Sequence, residues 1–132
     1  MGPGRPGGVA RMTSLLRRGM IVDVDLEPVR GSETGKTRPA VVVTNDVYNQ
    51  RVPVIQVVPL SSWSEKKARI VTNVTVEVTA ANGLDKRSVA DCLQTRPIDA
   101  RERLRGARGQ VDSRTLGQID EALRIVLALG PA

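Results

Sequence analysis

Between Met20 and Leu26 the apolar residues Met20, Val22, Val24 and Leu26 recur at every second position, with Asp23 and Asp25 between them. That period of two predicts a half-buried first strand. Residues 27–38 (EPVRGSETGKTR) carry a proline, two glycines and polar side chains, and predict a long loop. The run Ala40–Thr44 follows Pro39 with three consecutive valines and reads as a strand buried on both faces. Val54–Leu60 reads as a third strand. In the next segment Ile70, Thr72, Val74, Val76 and Val78 alternate with Arg69, Asn73, Thr75, Glu77 and Thr79, which predicts a half-exposed antiparallel strand. Asn82-Gly83 predicts a tight hairpin turn that returns Val89–Gln94 beside that strand, with Pro97 ending it.

Beyond Pro97 the pattern changes. Asp99–Arg105 predicts a short charged turn of helix, broken by Gly106 and Gly109. The last segment is helical: Asp112 can cap it, and Val111 and Leu116 have the spacing of a hydrophobic staple. Leu116, Ile119, Leu123, Val126 and Leu127 share one face, and Gly130-Pro131 stops the helix. Five or more short strands and a C-terminal helix predict a mainly β fold, a small antiparallel barrel closed at one end by that helix. Residues 1–16 are rich in Gly, Pro and Arg and predict a flexible basic tail, in which Met12 is an alternative start; residues 17–132 form a single domain.

Composition narrows the chemistry. Phe is absent, and Trp63 and Tyr48 are the sole aromatic residues, so the core must be aliphatic. With no histidine anywhere, neither a Ser-His-Asp triad nor an imidazole acid-base pair is available, and a zinc site of the usual ligand types is excluded. No metal or other cofactor is expected. Cys92, the single cysteine, has no partner for an internal disulfide and no histidine to activate it; it reads as a small core residue. Four of the 20 basic residues, Arg5, Arg11, Arg17 and Arg18, precede the first acid, which leaves 16 basic against 14 acidic residues in the rest. The first 19 residues therefore supply +4 of the net charge of +6, the remainder is only mildly basic, and the charge says little about nucleic acid. The sequence shows neither a membrane-spanning run nor the apolar centre of a signal peptide, and a cytoplasmic location is the default.

The stretch Gly31-Ser-Glu-Thr-Gly35-Lys36-Thr37 imitates a phosphate-binding loop but is one residue short, has Arg30 where the first glycine belongs, and leads into a strand instead of a helix. A different resemblance covers the same region. The text R-G-M-I-V-D-V-D-L-E-P-V-R-G-S-E-T-G-K-T-R-P-A-V-V-V-T-N-D-V-Y-N, from Arg18 to Asn49, resembles the MazF/PemK toxins, with R-G, D-L-x-P, G-S-E and R-P-A-V-V in their usual order and spacing. Val57–Ser62 is similar to the third strand of that family and Asp91–Asp99 to its L-x-Q-x-R-x-I-D segment.

The resemblance implies an SH3-like barrel of the CcdB/MazF kind and a homodimer. It also implies cleavage of single-stranded mRNA at a short sequence, with silencing by a MazE-like antitoxin protein. It places the catalytic arginine at Arg38, the catalytic hydroxyl at Ser61 and an acid at Glu33, a candidate base for the 2′-hydroxyl. RNA contacts fall on Gln94 and Arg96, and Gly31, Ser32, Lys36, Ser62 and Trp63 are further candidates around them. The chain differs from the family at Met20, where Asp is frequent, and at Asp23, where an aromatic residue is frequent; both positions bear on the RNA word. Read without the resemblance, Arg38 is a solvated loop charge, Ser61 and Ser62 are ordinary strand-end residues, Glu33 is a turn residue, and Trp63 covers one end of the barrel. Two other functions fit the same architecture: a CcdB-like toxin that binds DNA gyrase, and a non-catalytic SH3-like binding module.

Overall fold

The computed structural model describes residues 15–130. Residues 1–14, with Met12 and most of the expected tail, and residues 131–132, with Pro131, lie outside the described residues. Leu16, placed by the sequence in that tail, is fully buried in the core. Among the described residues there are seven strands: β1 Met20–Asp25, β2 Thr37–Val42, β3 Val54–Ser62, β4 Asn73–Val76, β5 Ser88–Asp91, β6 Arg96–Asp99 and β7 Leu104–Gln110. They alternate with short helices α1 Asp46–Asn49, α2 Glu65–Ala68 and α3 Ala100–Arg103, a 3-10 turn at Cys92–Gln94, and the long C-terminal helix α4 Ser113–Leu127. Among the described residues no helix is long and apolar enough to cross a membrane.

All the pairings are antiparallel, and the sheet runs β4-β5-β3-β2-β1-β7, with β6 added to β3. Strand β3 is the pivot. Its first half pairs with β6 and its last three residues with β5, while β2 lies along its middle. The central strands are covered on both sides. Ile21, Val41, Val58 and Leu60 pack with Val74, Val76, Ala90 and Ile119 on one face. Val22, Val24, Ala40, Val42, Ile55 and Val57 pack with Ile98, Ala100 and Leu104 on the other. Val41 and Val42 are buried on opposite faces, as the run predicts, but β2 ends at Val42, leaves Val43 and Thr44 half-buried beyond it and begins with exposed Thr37, whereas β1 carries Ile21 into the first cluster in addition to its alternating face.

Several expectations are corrected. The sheet is not a hydrogen-bonded closed barrel, because β4 and β7 end the path. Its ends meet through the loop 77–87, where Gln110 N donates to Ala81 O at 3.0 Å. A Cβ on Gly109 would collide with that Ala81 oxygen, and one on Gly83 with the Arg108 carbonyl, so two bare α-carbons permit the approach. The glycines expected to break a helix, Gly106 and Gly109, instead lie inside β7, and of the two it is Gly109 whose missing side chain permits a close approach. The predicted charged helix survives as α3 alone, capped by Asp99 Oδ1, which accepts from Arg101 N at 2.9 Å and Glu102 N at 3.1 Å.

The fourth strand is shorter than its alternation suggests, since Ser64 caps α2 in front of it and leaves Ile70 and Val71 exposed. Asn82-Gly83 does not make a two-residue hairpin. Gly83 has a φ of +69°, but Asn82 is buried and folds a longer loop: its Oδ1 accepts from Thr79 N and Leu84 N, and its Nδ2 donates to Glu77 O at 2.7 Å. Pro97 does not end a strand; it sits within β6 opposite Gln56, on a strand with one open edge where its missing N–H costs nothing. In α4, Asp112 accepts from Thr115 N at 2.7 Å as expected, but the helix ends at Ala128, which takes the left-handed conformation with φ +54° before Gly130 is reached. Leu127 is exposed, and Ala122 is buried beside Ile119 instead.

Candidate active site

The start of β2 and the end of β3 lie side by side. Ala40 pairs with Pro59, and extending that antiparallel register by two residues sets Arg38 opposite Ser61. Residues opposite one another in such a pair project to the same face of the sheet. Arg38 and Ser61 line one cleft of about 270 Å³, together with Thr37, Pro39, Ser62, Leu84, Asp85, Lys86, Ser88 and Arg108. The loop 77–87 supplies one wall and β7 contributes Arg108, so the seam between the sheet ends also shapes the site.

Three polar side chains of the cleft have a defined support. Arg38 Nε donates to Gly35 O at 2.9 Å, which aims the guanidinium from its base, and its Nη atoms make no hydrogen bond among the described residues. Ser61 Oγ accepts from Lys67 Nζ at 3.2 Å, and the same ammonium donates to Ser62 O at 3.1 Å. Arg108 is held from two sides: Nε donates to Asp23 Oδ1 at 2.9 Å and Nη1 to Asp85 Oδ2 at 3.2 Å. The hydrogen bond to Asp23 above all, and then the one to Asp85, raises the pKa of Arg108 above the ordinary arginine value. With Arg38, Lys86 and Arg108 facing Asp85, cations predominate in the cleft, as suits an anionic ligand.

The remaining candidates divide into groups. Gln94 and Arg96 do not line this cleft; they fasten the glycine loop. Gln94 Oε1 accepts from Thr34 N at 3.2 Å and its Nε2 donates to Ser32 O at 3.3 Å, while Arg96 Nη1 donates to Leu26 O at 3.3 Å. Gly31, Ser32 and Lys36 are exposed on that loop, where Gly31 and Lys36 have positive φ angles of 56° and 67°. Glu33 is also exposed and outside the cleft, with Oε1 accepting from Arg30 N at 2.8 Å in a local turn. Trp63 is half-buried: its Nε1 donates to Thr75 Oγ1 at 3.2 Å, and the Arg87 guanidinium lies 4.0 Å from its ring centre.

Sequence reasoning missed Lys67, Lys86 and Arg108. Lys67 stands in the basic run Lys66-Lys67-Ala68-Arg69 with nothing to single it out, and Arg108 sits in a stretch whose glycines suggested a break rather than a strand. The glycine close approaches are the one signal that could have found Arg108, and they are visible only once β7 is known to pair with β1.

Residues 17–127 match the family model described as the PemK-like, MazF-like toxin of type II toxin-antitoxin systems. The chain belongs to the PemK/MazF toxin family. It is 40% identical over 120 residues to endoribonuclease MazF9 of Mycobacterium tuberculosis, an alignment that covers 87% of this chain and 98% of that one. It is 35% identical over 115 residues to endoribonuclease EndoA of Bacillus subtilis, covering 87% and 97%. Among solved structures, MazF of Deinococcus radiodurans superposes with a TM-score of 0.75 at 23% identity, over 86% of this chain and 97% of that one. An endoribonuclease from a mycobacterial species in complex with its cognate antitoxin superposes with a TM-score of 0.69 at 20% identity, covering 89% and 99%. These likenesses agree with the fold described above: a mainly antiparallel sheet with a C-terminal helix.

Proposed function

We propose that this PemK/MazF chain is the toxin of a type II toxin–antitoxin pair and an endoribonuclease that cuts single-stranded mRNA at a short sequence without a metal ion. The observation that carries this reading is the placement of the Arg38 guanidinium and the Ser61 hydroxyl in one cation-rich cleft, opposite each other across two antiparallel strands. RNA brings its own nucleophile. The ribose 2′-oxygen forms a bond to the adjacent phosphorus, the bond from phosphorus to the 5′-oxygen breaks, and the 2′-hydroxyl proton finishes by way of solvent on that 5′-oxygen. The products are a 2′,3′-cyclic phosphate and a 5′-hydroxyl end.

The protein's task is to align the phosphodiester and absorb its growing negative charge. Arg38 can present paired N–H donors to two phosphate oxygens, and Ser61 a third donor, in a setting where one such donor is worth roughly 2.7–4 kcal/mol in acyl-transfer enzymes. Gln94 and Arg96 contribute by holding the glycine loop, with its exposed Gly31, Ser32 and Lys36, at one approach to the site. Ser62 and Trp63 follow Ser61 on β3 and in the next turn, along the path of a bound strand. Such a toxin acts in the cytoplasm, where mRNA is, works as a homodimer and is silenced by a MazE-like antitoxin protein.

The test is to incubate the purified chain, in excess chelator, with a long single-stranded RNA and with DNA of the same sequence, and to identify the new ends. RNA should be cut to cyclic phosphate and 5′-hydroxyl ends and DNA left intact, since it lacks the 2′-oxygen. Arg38→Ala and Ser61→Ala should each lower kcat/KM roughly 100- to 1000-fold while the urea midpoint hardly moves. Cleavage of DNA, a requirement for metal, or full activity of Arg38→Ala would overturn the assignment. A toxin that acts by binding a protein, or a non-catalytic module, would leave both substrates whole.

A further inference from the structure

Lys67 reaches the cleft from outside the strands that build it. The backbone of α2 holds it at both ends of the residue: Lys67 N donates to the capping Ser64 Oγ at 3.1 Å, and Lys67 O accepts from Asn73 Nδ2 at 3.0 Å. Its half-buried side chain turns back toward β3 and ends on Ser61 Oγ at 3.2 Å and Ser62 O at 3.1 Å. Its basic neighbours do otherwise. Lys66 is exposed, and Arg69 pairs with Glu65 at 2.6 Å, one turn back along the chain. Of this basic run Lys67 alone is directed at the cleft hydroxyl.

The donor inventory gives that contact a consequence. An ammonium has N–H donors and no acceptor; a serine hydroxyl has one O–H and two lone pairs. When Lys67 occupies one lone pair of Ser61 Oγ, the ammonium itself offers the Ser61 proton no acceptor. Across the strand pair stands Arg38, another group without an acceptor. Neither cation can take the Ser61 proton, and Asp85, the cleft's one carboxylate, is engaged by Arg108, so the proton is available to an incoming anion, and the donation from a charged group strengthens it as a donor.

We infer that Lys67 is a positioning residue for cleavage: it fixes the Ser61 hydroxyl with its proton turned toward the phosphodiester held by Arg38. The inference rests on the reading of Ser61 as the reacting-site hydroxyl. Lys67 acts through Ser61, so removing it after Ser61 has lost its oxygen should do no further harm.

The experiment is a double-mutant cycle on a long single-stranded transcript containing every short sequence word, cleaved in chelator by the full chain. Lys67→Met, which keeps an unbranched apolar stem, should lower kcat roughly 10- to 100-fold, the range for a hydrogen bond from a charged group, with KM nearly unchanged. Ser61→Ala/Lys67→Met should be no slower than Ser61→Ala alone. A second variant guards against misfolding: Lys67→Cys treated with 2-bromoethylamine rebuilds an amine of lysine length on a folded protein, while buried Cys92 is out of the reagent's reach, and activity should return. Three results would overturn the inference: Lys67→Met cleaving at the wild-type rate, a loss that multiplies with that of Ser61→Ala, or alkylated Lys67→Cys remaining inactive. Should Ser61→Ala itself cleave normally, it is the placement of the site that falls.

Discussion

Cys92 lies in the core with no exposed surface, and its thiol is pushed up to about 12, chiefly by burial and secondarily by the neighbouring charge of Asp91. It therefore stays protonated at neutral pH and unreactive, since the thiolate is the nucleophile. Iodoacetamide at pH 8 should leave the native chain unlabelled and modify it fully in denaturant; native labelling at the denatured rate would contradict the assigned burial. Asp46 shows the opposite displacement. A hydrogen bond from the Arg18 backbone N–H, reinforced by Asn49, lowers its pKa below the ordinary value of 3.8. A carboxyl depressed in the folded state contributes stability that is fully present above its unfolded value and lost as pH falls through the folded one. Exchange protection of the Arg18 amide should hold at neutral pH and fade only below pH 3.8. At this scale Arg38 and Ser61 were legible because they sit within recurrent text. Lys67 and Arg108 were not, because their value depends on which strand they fold against.

A pair of opposite substitutions tests the reading of α4. Gly117 stands inside the helix, exposed, with open space where a Cβ would be, so Gly117→Ala should stabilise the chain by about 0.5–1 kcal/mol. Ala128 holds the left-handed C-terminal position usually given to glycine, so Ala128→Gly should also stabilise it, by a net amount on the order of 0.5 kcal/mol. Urea midpoints measure both, and a loss of stability in either would show the helix end to be misplaced. The helix was legible because its apolar spacing and Asp112 cap agree with each other. Strand β7 was not: Leu104–Gln110 holds two glycines and two arginines, and its one fully buried apolar side chain is Leu104, so no alternation marks it. Strand β4 failed in the other direction, because the alternation from Ile70 to Val78 outlasts the pairing, which α2 and the Asn82-anchored loop cut short at each end.

Over the whole molecule the class of fold could be read from short strands followed by one amphipathic helix, but its manner of closure could not. Local patterns report pairing along a strand; they do not report where a sheet's two ends meet. Here they meet where the loop 77–87 rests on β7, with Gly83 and Gly109 stripped of side chains at the crossing. Gly109→Ala should therefore cost roughly 1–3 kcal/mol in stability and lower RNA cleavage beyond what that loss explains, since the displaced loop carries Leu84, Asp85 and Lys86 away from the cleft. Unchanged activity at an unchanged urea midpoint would refute the role given to the crossing.

That crossing also bears on when activity should appear during refolding. Strands β2 and β3 by themselves set Arg38 opposite Ser61, whereas the wall of Leu84, Asp85 and Lys86 exists only when the loop rests on β7, so the pocket is complete only with the crossing in place. Arg87, at the end of the same loop, lies over Trp63, the chain's one tryptophan. In refolding from urea, RNA cutting should reappear together with the final change in tryptophan emission and never ahead of it.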